Sequence, residues 1–577
     1  MGLFFFVSPV FAQLHDNTWI FGHTGHGPLI GHSKFTFYTG SLKIDTLAYF
    51  GLEYAFNNSA LSDTGGNFIA SFSGDHILNK NYALMENGGR LNKEIIKDHY
   101  YLSSTDLPQG SVMLPWPDHP DSILLLYGSW ILFTPNGWAD ITSFGVNMAV
   151  IDAKANNGLG KVVSRDNQFI EDTIQIGRLN PVRHANGRDW WLLVSERERN
   201  RFYTILIDPK GPKIVGKQVI GFPLGDGLDQ GAFSPDGSKY VIHNGVDFNA
   251  TGVSFNVYDF DRCSGRLSNH KQYFMKGNFG GTAISPSGRY AYQNVRDTAF
   301  QYDLEGPDIW ASRQVVAIYD GFKGPVQTSL YQMQLAADGK IYSCATNGVL
   351  YMHVIHSPDE PGLACQYQQH GIKLSKYNSF SVPNFPNYRL GPLDGSPCDT
   401  LGLNNVPVAW YRYQQDTLEP LLVDFHDLSH HEPANWHWDF GDPASGASNT
   451  ATERHPRHLY TAPGKYEACL TVRNPYGTHT HCKTLFLGVT PSENPVLQEQ
   501  VQVWPNPFGE RLAIAFSATN LRQPVFLLYD ATGSLVRQEH LSFGIHEVDT
   551  GDLSKGMYFW VVESAGERVK SGKVVKL

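Results

Sequence analysis

Three histidines, His23, His26 and His32, lie in the glycine-rich run GHTGHGPLIGH, and imidazoles in a loop can ligate a metal. Their spacing matches neither the helical nor the CxxC arrangement of a compact site. A chain with 23 histidines also gathers some of them without purpose. His184, Arg188 and Asp189 flank Trp190-Trp191, on paper an acid–base set. The same glycine turn and aromatic strand recur further along, so packing and hydrogen bonding explain this set better than catalysis. His430-His431-Glu432 lacks the second histidine at the helical offset that a zinc protease requires. There is no GxSxG elbow, no Walker loop and no dinucleotide fingerprint. The expectation is therefore no catalytic residue, no cofactor and no metal. A scaffold of repeated sheets can still draw carboxylates and histidines from several sheets into one site without leaving a local motif.

The elements that would position such residues are strands. Charged residues make up 17% of the 577, against about 25% in ordinary soluble domains, while aromatics reach 13% and glycine and proline number 56 and 33. Low charge, many aromatics and frequent turn-formers describe short β-strands. The formal charge of −10 argues against a nucleic-acid partner, which demands clustered Lys and Arg. No apolar run approaches the ~18 residues of a membrane-spanning helix. Four segments repeat: HANGRDWWLLVS from His184, FSPDGSKYVIHNG from Phe233, ISPSGRYAYQNV from Ile284 and LAADGKIYSCAT from Leu335. Their glycines, Gly187, Gly237, Gly288 and Gly339, are 50, 51 and 51 residues apart. Each unit is a tight turn followed by an alternating aromatic or β-branched strand. A single small sheet cannot bury both faces, so such units stack around an axis, as in a β-propeller. Two less regular units, from Thr64 and Pro117, precede these, giving six to seven blades over residues 17–390.

Gly2 to Phe11 read GLFFFVSPVF and lead to Val10-Phe11-Ala12, the apolar run and small-residue boundary of a secretory signal peptide over residues 1–12. Six cysteines suit an oxidising compartment. The words NPVRHANGRDWWLL, FSPDGSKY, YDFDRCSGRLSN, QMQLAADGKIY and SVPNFPNY resemble a family of exported Bacteroidetes proteins in which a degenerate propeller precedes a PKD module. The resemblance attaches no catalytic role to those words.

A polar Gly/Pro-rich linker, residues 391–405, follows. Beyond it Trp436, Trp438 and Phe440 alternate with His437 and Asp439, as do Tyr466, Ala468, Leu470 and Val472 with their neighbours, the pattern of half-buried strands. Residues 406–489 resemble the PKD domain, an immunoglobulin-like β-sandwich, through Trp438, Asp439, Phe440, Gly441 and Asp442 and the later Tyr-x-x-Pro-Gly-x-Tyr. That resemblance implies a spacer or a module that contacts protein or glycan. Cys469 lies six residues before Pro475 and Cys482 six after Tyr476. A two- or four-residue turn puts them opposite each other within disulfide reach; a three-residue turn bulged at Gly477 puts them on opposite faces. Cys365 and Cys398 are the second expected pair, and Cys263 and Cys344 are left undetermined.

After a second linker, 490–500, residues 501–577 alternate cleanly with short loops, so a small β-sandwich is expected. They resemble the type A C-terminal sorting domain of the type IX secretion system at Trp504-Pro505-Asn506-Pro507, at Asp530 with Gly533, at Leu553 to Tyr558 including Gly556, and at Lys570 to Lys576 including Lys573. The resemblance implies passage across the outer membrane, followed by removal of the domain and release or attachment to surface lipopolysaccharide. The expected whole is an all-β chain: propeller, PKD sandwich, small C-terminal sandwich. Its partners are the type IX machinery and a protein or polysaccharide ligand; the competing class is an exported propeller hydrolase or lyase acting on glycans.

Overall fold

The computed structural model describes residues 13–23, 30–37, 42–91, 107–133, 140–225, 230–245, 252–416, 419–487, 501–504, 508–516, 524–530, 534–541, 544–564 and 567–576. The signal-peptide segment and His26 lie outside them. The chain divides into two compact units. One holds the chain up to Arg412 with Asp427–Asn435 and Val472–Thr480, the other Tyr413–His426, Trp436–Thr471 and His481 onward.

Among the described residues, the part of the first unit before residue 379 forms seven antiparallel sheets in chain order, five of four strands and two of three. In the fourth to seventh sheets the innermost strands are Asn180–Arg183, Gln230–Phe233, Gly280–Ile284 and Leu330–Leu335. The last three of these pack against one another in turn, the arrangement of propeller blades around an axis. The repeated glycines all sit in the turn that leaves the innermost strand. Gly187, Gly237, Gly288 and Gly339 have φ between 73° and 81°, a region that side chains rarely adopt. Each donates its N–H to the carbonyl three residues back, at His184, Ser234, Ser285 and Ala336. We term this side of the propeller lower, and the side where the innermost strands begin upper.

The first blade is built differently. Its three strands, Thr18–His23, Gly31–Thr36 and Lys43–Leu47, rise from residues 13–17 on the lower side. Residues 379–390, which follow the last strand of the seventh blade, Tyr367–Asn378, run down the axis beside them. Asn58 Nδ2 donates both to Ile20 O and to Ser381 Oγ, while Phe385 and Tyr388 pack on Trp19 and His15. The segment thus takes the place of the missing innermost strand and closes the ring. Trp19, fully buried, fills the seam with Phe21, Phe35, Phe37, Tyr342 and Phe385. On the outside of the seam Ser33 Oγ meets Ser375 Oγ at 3.1 Å and accepts from Lys376 N.

The PKD segment pairs Tyr411–Gln415, Leu422–Asp427 and Arg457–Leu459 in one sheet. The other sheet runs Thr450–Ala451, Asn435–Asp439, Gly464–Asn474, Gly477–Leu487. The C-terminal segment forms a three-stranded and a four-stranded sheet around Phe508, Leu512, Ile514, Phe526, Leu528, Trp560 and Val562.

Candidate functional site

In a propeller the channel is where innermost strands from several blades can bring reactive groups together, but here it is filled with amides. Gln230 Oε1 accepts the N–H groups of Thr282 and Met333, each at 3.0 Å, and its Nε2 donates to Met333 O. Gln109 exchanges two hydrogen bonds with Gly231, at 3.0 and 2.9 Å. Asn384, on the axial segment, donates to Ser111 O at 2.9 Å and Leu179 O at 2.8 Å and accepts from Gln109 at 3.3 Å. Asn387 reaches Pro235 O on the lower side, and the Tyr388 hydroxyl donates to Met113 O. One segment thus satisfies backbone groups of several blades that would otherwise be buried unpaired. The remaining cavity is about 60 Å³, and its lining contains no carboxylate, histidine or cysteine. Ligand pockets commonly enclose ~300 Å³ or more.

The upper mouth is aromatic. Phe56 stacks on Phe380 at 4.4 Å, and Tyr331 meets Phe56, Phe279 and Phe380 edge-on at 6.4, 6.0 and 5.7 Å. The three phenylalanines are half-buried. Phe380 holds φ at 55°, unusual for a bulky side chain and a conformation that must be supported by its surroundings. Around the same upper side Val219, Phe222, Phe274 and Ile318 are 61–65% exposed. Phe222 lies 6.1 Å from the His270 ring, which in turn stacks on Tyr258 at 4.5 Å.

The residues that suggested chemistry go elsewhere. His32 is buried, stacked on Phe50 at 3.6 Å, with Nε2 2.9 Å from Leu52 O; burial pushes its pKa down to about 4. His184 accepts from Asn186 N, Arg188 pairs with Asp118 and Asp189 at 2.6 and 2.7 Å, and Asp189 caps the turn. His431 ties Val406 O to Arg389 O, each at 2.7 Å. Among the described residues no group of three His, Cys, Asp or Glu is placed to hold a metal, and no helix is long and apolar enough to cross a membrane.

The cysteines require a correction. Cys398 is bonded to Cys263, not Cys365, and Cys344 and Cys365 are buried free thiols. The stretch 391–405 does not pass the seventh blade's outer loop; it is fastened to the fourth and fifth blades, where Leu393 N donates to Ala185 O. Cys365 ends the short turn Gly362–Cys365 and faces an apolar cluster with Tyr292, Ile341 and Ile355, where burial raises its thiol pKa. Cys469 and Cys482 are bonded, with Cα atoms 4.0 Å apart across the two-residue turn Pro475-Tyr476.

In the PKD segment Trp438 is fully buried against Phe425 and donates Nε1 to Glu453 O at 3.0 Å. Asp439 Oδ1 accepts from Gly441 N and Asn449 Nδ2, and the Phe440 ring stacks on His458 at 4.3 Å. Asp442 accepts from Thr461 N, Thr461 Oγ1 and His458 Nε2 at 2.9, 2.7 and 3.3 Å. Burial would raise its pKa, but these bonds hold the carboxylate below its usual range. The motif thus builds the turn and packing of the sandwich. In the C-terminal segment Tyr558 is buried and donates to Ser554 O at 2.7 Å, and the Lys576 ammonium donates to the carbonyls of Thr550 and Gly551. Gly556 begins the strand Gly556–Ser564 and Lys573 is exposed. Trp504 ends the strand Val501–Trp504, whereas Pro505, Asn506, Pro507 and Gly533 lie outside the described residues.

Comparison with known proteins finds a PKD domain over residues 412–489 and a secretion system C-terminal sorting domain over residues 502–576. No curated protein matches the chain. The PKD1 domain of Vibrio anguillarum Epp is 30% identical, with 15% of this chain covering 99% of that one at a TM-score of 0.13. A putative 6-phosphogluconolactonase from Bacteroides fragilis is 11% identical, covering 62% of this chain and 96% of that one at a TM-score of 0.37. PorZ, a surface component of the type IX secretion system of Porphyromonas gingivalis, is 11% identical, covering 94% and 91% at a TM-score of 0.17. Neither of these last two likenesses carries a function to this chain. With a PKD domain following the propeller in the sequence and a type IX sorting domain over residues 502–576, the chain is an exported all-β protein sent to the outer cell surface.

Proposed function

We propose that the exported protein is a non-catalytic binding protein of the cell exterior, whose ligand is a protein or a polysaccharide engaged by the upper side of the propeller. The observation that carries this reading is a channel whose polar groups are already paired, together with large apolar side chains left exposed on neighbouring blades. Its channel holds amides already paired with backbone groups of neighbouring blades and of the axial segment, while the upper ends of the outermost strands of the fourth to sixth blades expose Val219, Phe274 and Ile318, with Phe222 just beyond Val219. Exposed aromatic and aliphatic side chains on neighbouring blades are a feature of interaction surfaces. The PKD domain supports the same reading as a spacer or a second contact.

The full chain should be screened on a glycan array and on an array of purified extracellular proteins. Phe222→Ser combined with Phe274→Ser should weaken the strongest interaction by roughly tenfold or more, the loss usual for buried aromatic anchors. Undiminished binding by the double variant would move the site away from this rim. Release of new reducing ends from a polysaccharide would replace the reading with that of a glycan hydrolase.

A further inference from the structure

Residues 379–390 are anchored at both rims of the propeller. At the upper rim they continue directly from the outer strand Tyr367–Asn378, and Phe380 N donates to Ala345 O. A segment lying on the axis can leave it only by drawing chain through one rim. The upper end is held by strand pairing within the seventh blade, so the lower end decides.

Two fastenings from one turn hold that end. The turn between Gly252–Asp261 and Arg266–Lys276, on the outer lower side of the fifth blade, carries Arg262 and Cys263 side by side. Arg262 is buried; its Nε donates to Arg183 O at 2.9 Å, and its Nη2 donates to His184 O and to Gly391 O, the residue after the axial segment. Cys263 is bonded to Cys398, seven residues further on. Just above, Arg389 pairs with Asp16, both buried, and so joins the segment's end to the start of the first blade.

We propose that the Cys263–Cys398 disulfide is the lock of the propeller ring: it fixes the chain where it leaves the channel, so residues 379–390 cannot slide out while the bond is intact. The polar contacts of Asn384, Asn387 and Tyr388 set the segment's position, but each is an exchangeable hydrogen bond. The covalent bond converts local undocking into an event that must displace the whole fifth-blade turn. Cys469–Cys482 spans a hairpin elsewhere and has no part in this.

Hydrogen exchange followed by mass spectrometry on the full chain tests the lock. In Cys263→Ser/Cys398→Ser, exchange in the peptide covering 379–390 should rise by roughly tenfold or more, while Gln230–Phe233 of the fifth blade keeps its rate. Cys469→Ser/Cys482→Ser should leave the 379–390 peptide unchanged. If the first variant does not fold, the second is folded in its oxidised form and treated with a water-soluble phosphine. The phosphine takes the remaining disulfide to two thiols, with protons from water, and becomes the phosphine oxide; the same selective rise is then expected. Equal exchange of 379–390 with and without the bond would overturn the proposal. So would a parallel rise across the blades, which would mark the bond as a general staple of the unit.

Discussion

Four histidines are buried without a charge partner close enough to keep them protonated. Burial lowers the pKa of His15, His32 and His353 to about 4 and of His243 to about 3, from an ordinary 6.5. The unfolded chain therefore takes up protons below pH 6.5 that the native chain refuses, so stability is complete above that pH. It falls as pH drops from 6.5 toward 4, by about 1.4 kcal/mol per histidine per pH unit. Thermal melts of the full chain should show a lower Tm at pH 5 than at pH 7.5, and a variant with His243→Gln should lose part of that difference. Identical melts at the two pH values would show that these imidazoles are not buried. Gly441 makes a second test at this scale. Its φ is 69° and a Cβ there would lie 2.4 Å from Glu467 O, so Gly441→Ala should cost the PKD domain about 2 kcal/mol or more. A urea midpoint for that domain equal to the parent's would contradict this.

At the scale of elements, the hairpin Gly464–Asn474 to Gly477–Leu487 and the axial segment answer to different forces. The Cys469–Cys482 bond closes a short loop, and its removal by paired serine substitution should lower the PKD domain's stability by roughly 2–3 kcal/mol. Denaturant unfolding of the oxidised parent and the serine variant measures the difference. The axial segment has no ladder partner and relies on its amides, so Asn384→Ala should leave the carbonyls of Ser111 and Leu179 buried and unpaired. A loss of roughly 2–4 kcal/mol in the propeller's unfolding is expected. Were the variant as stable as the parent, the segment would be a passenger in the channel and not the closing element of the ring.

For the whole molecule, the sorting domain separates delivery from structure. Its sheets form their own core around Phe526, Leu528 and Trp560. Deleting Val501–Leu577 should therefore leave a folded propeller and PKD domain stranded in the periplasm. Fractionation of a host that has the machinery would find the protein there; appearance in the medium from intact cells at the normal level would refute the role. Transfer of residues 490–577 to an unrelated exported protein should carry that protein outside.

The amino-acid sequence by itself determined the β-class, the four evenly spaced blades and the PKD and sorting words. Each of these is written in local pattern: a left-handed glycine every fifty or so residues, an alternation of period two, a Trp-Asp-Phe-Gly-Asp turn. It also put Cys469 and Cys482 at equal distances from one turn, which a hairpin makes neighbours. The first blade was out of reach because it is discontinuous: its three strands come from residues 18–47, while the segment on its axis comes from residues 379–390. The Cys263–Cys398 bond was out of reach for the same reason. Both depend on where a polar, proline-bearing stretch runs once the blades have stacked, and only the closing of the ring, with its unpaired backbone groups to satisfy, decides that path.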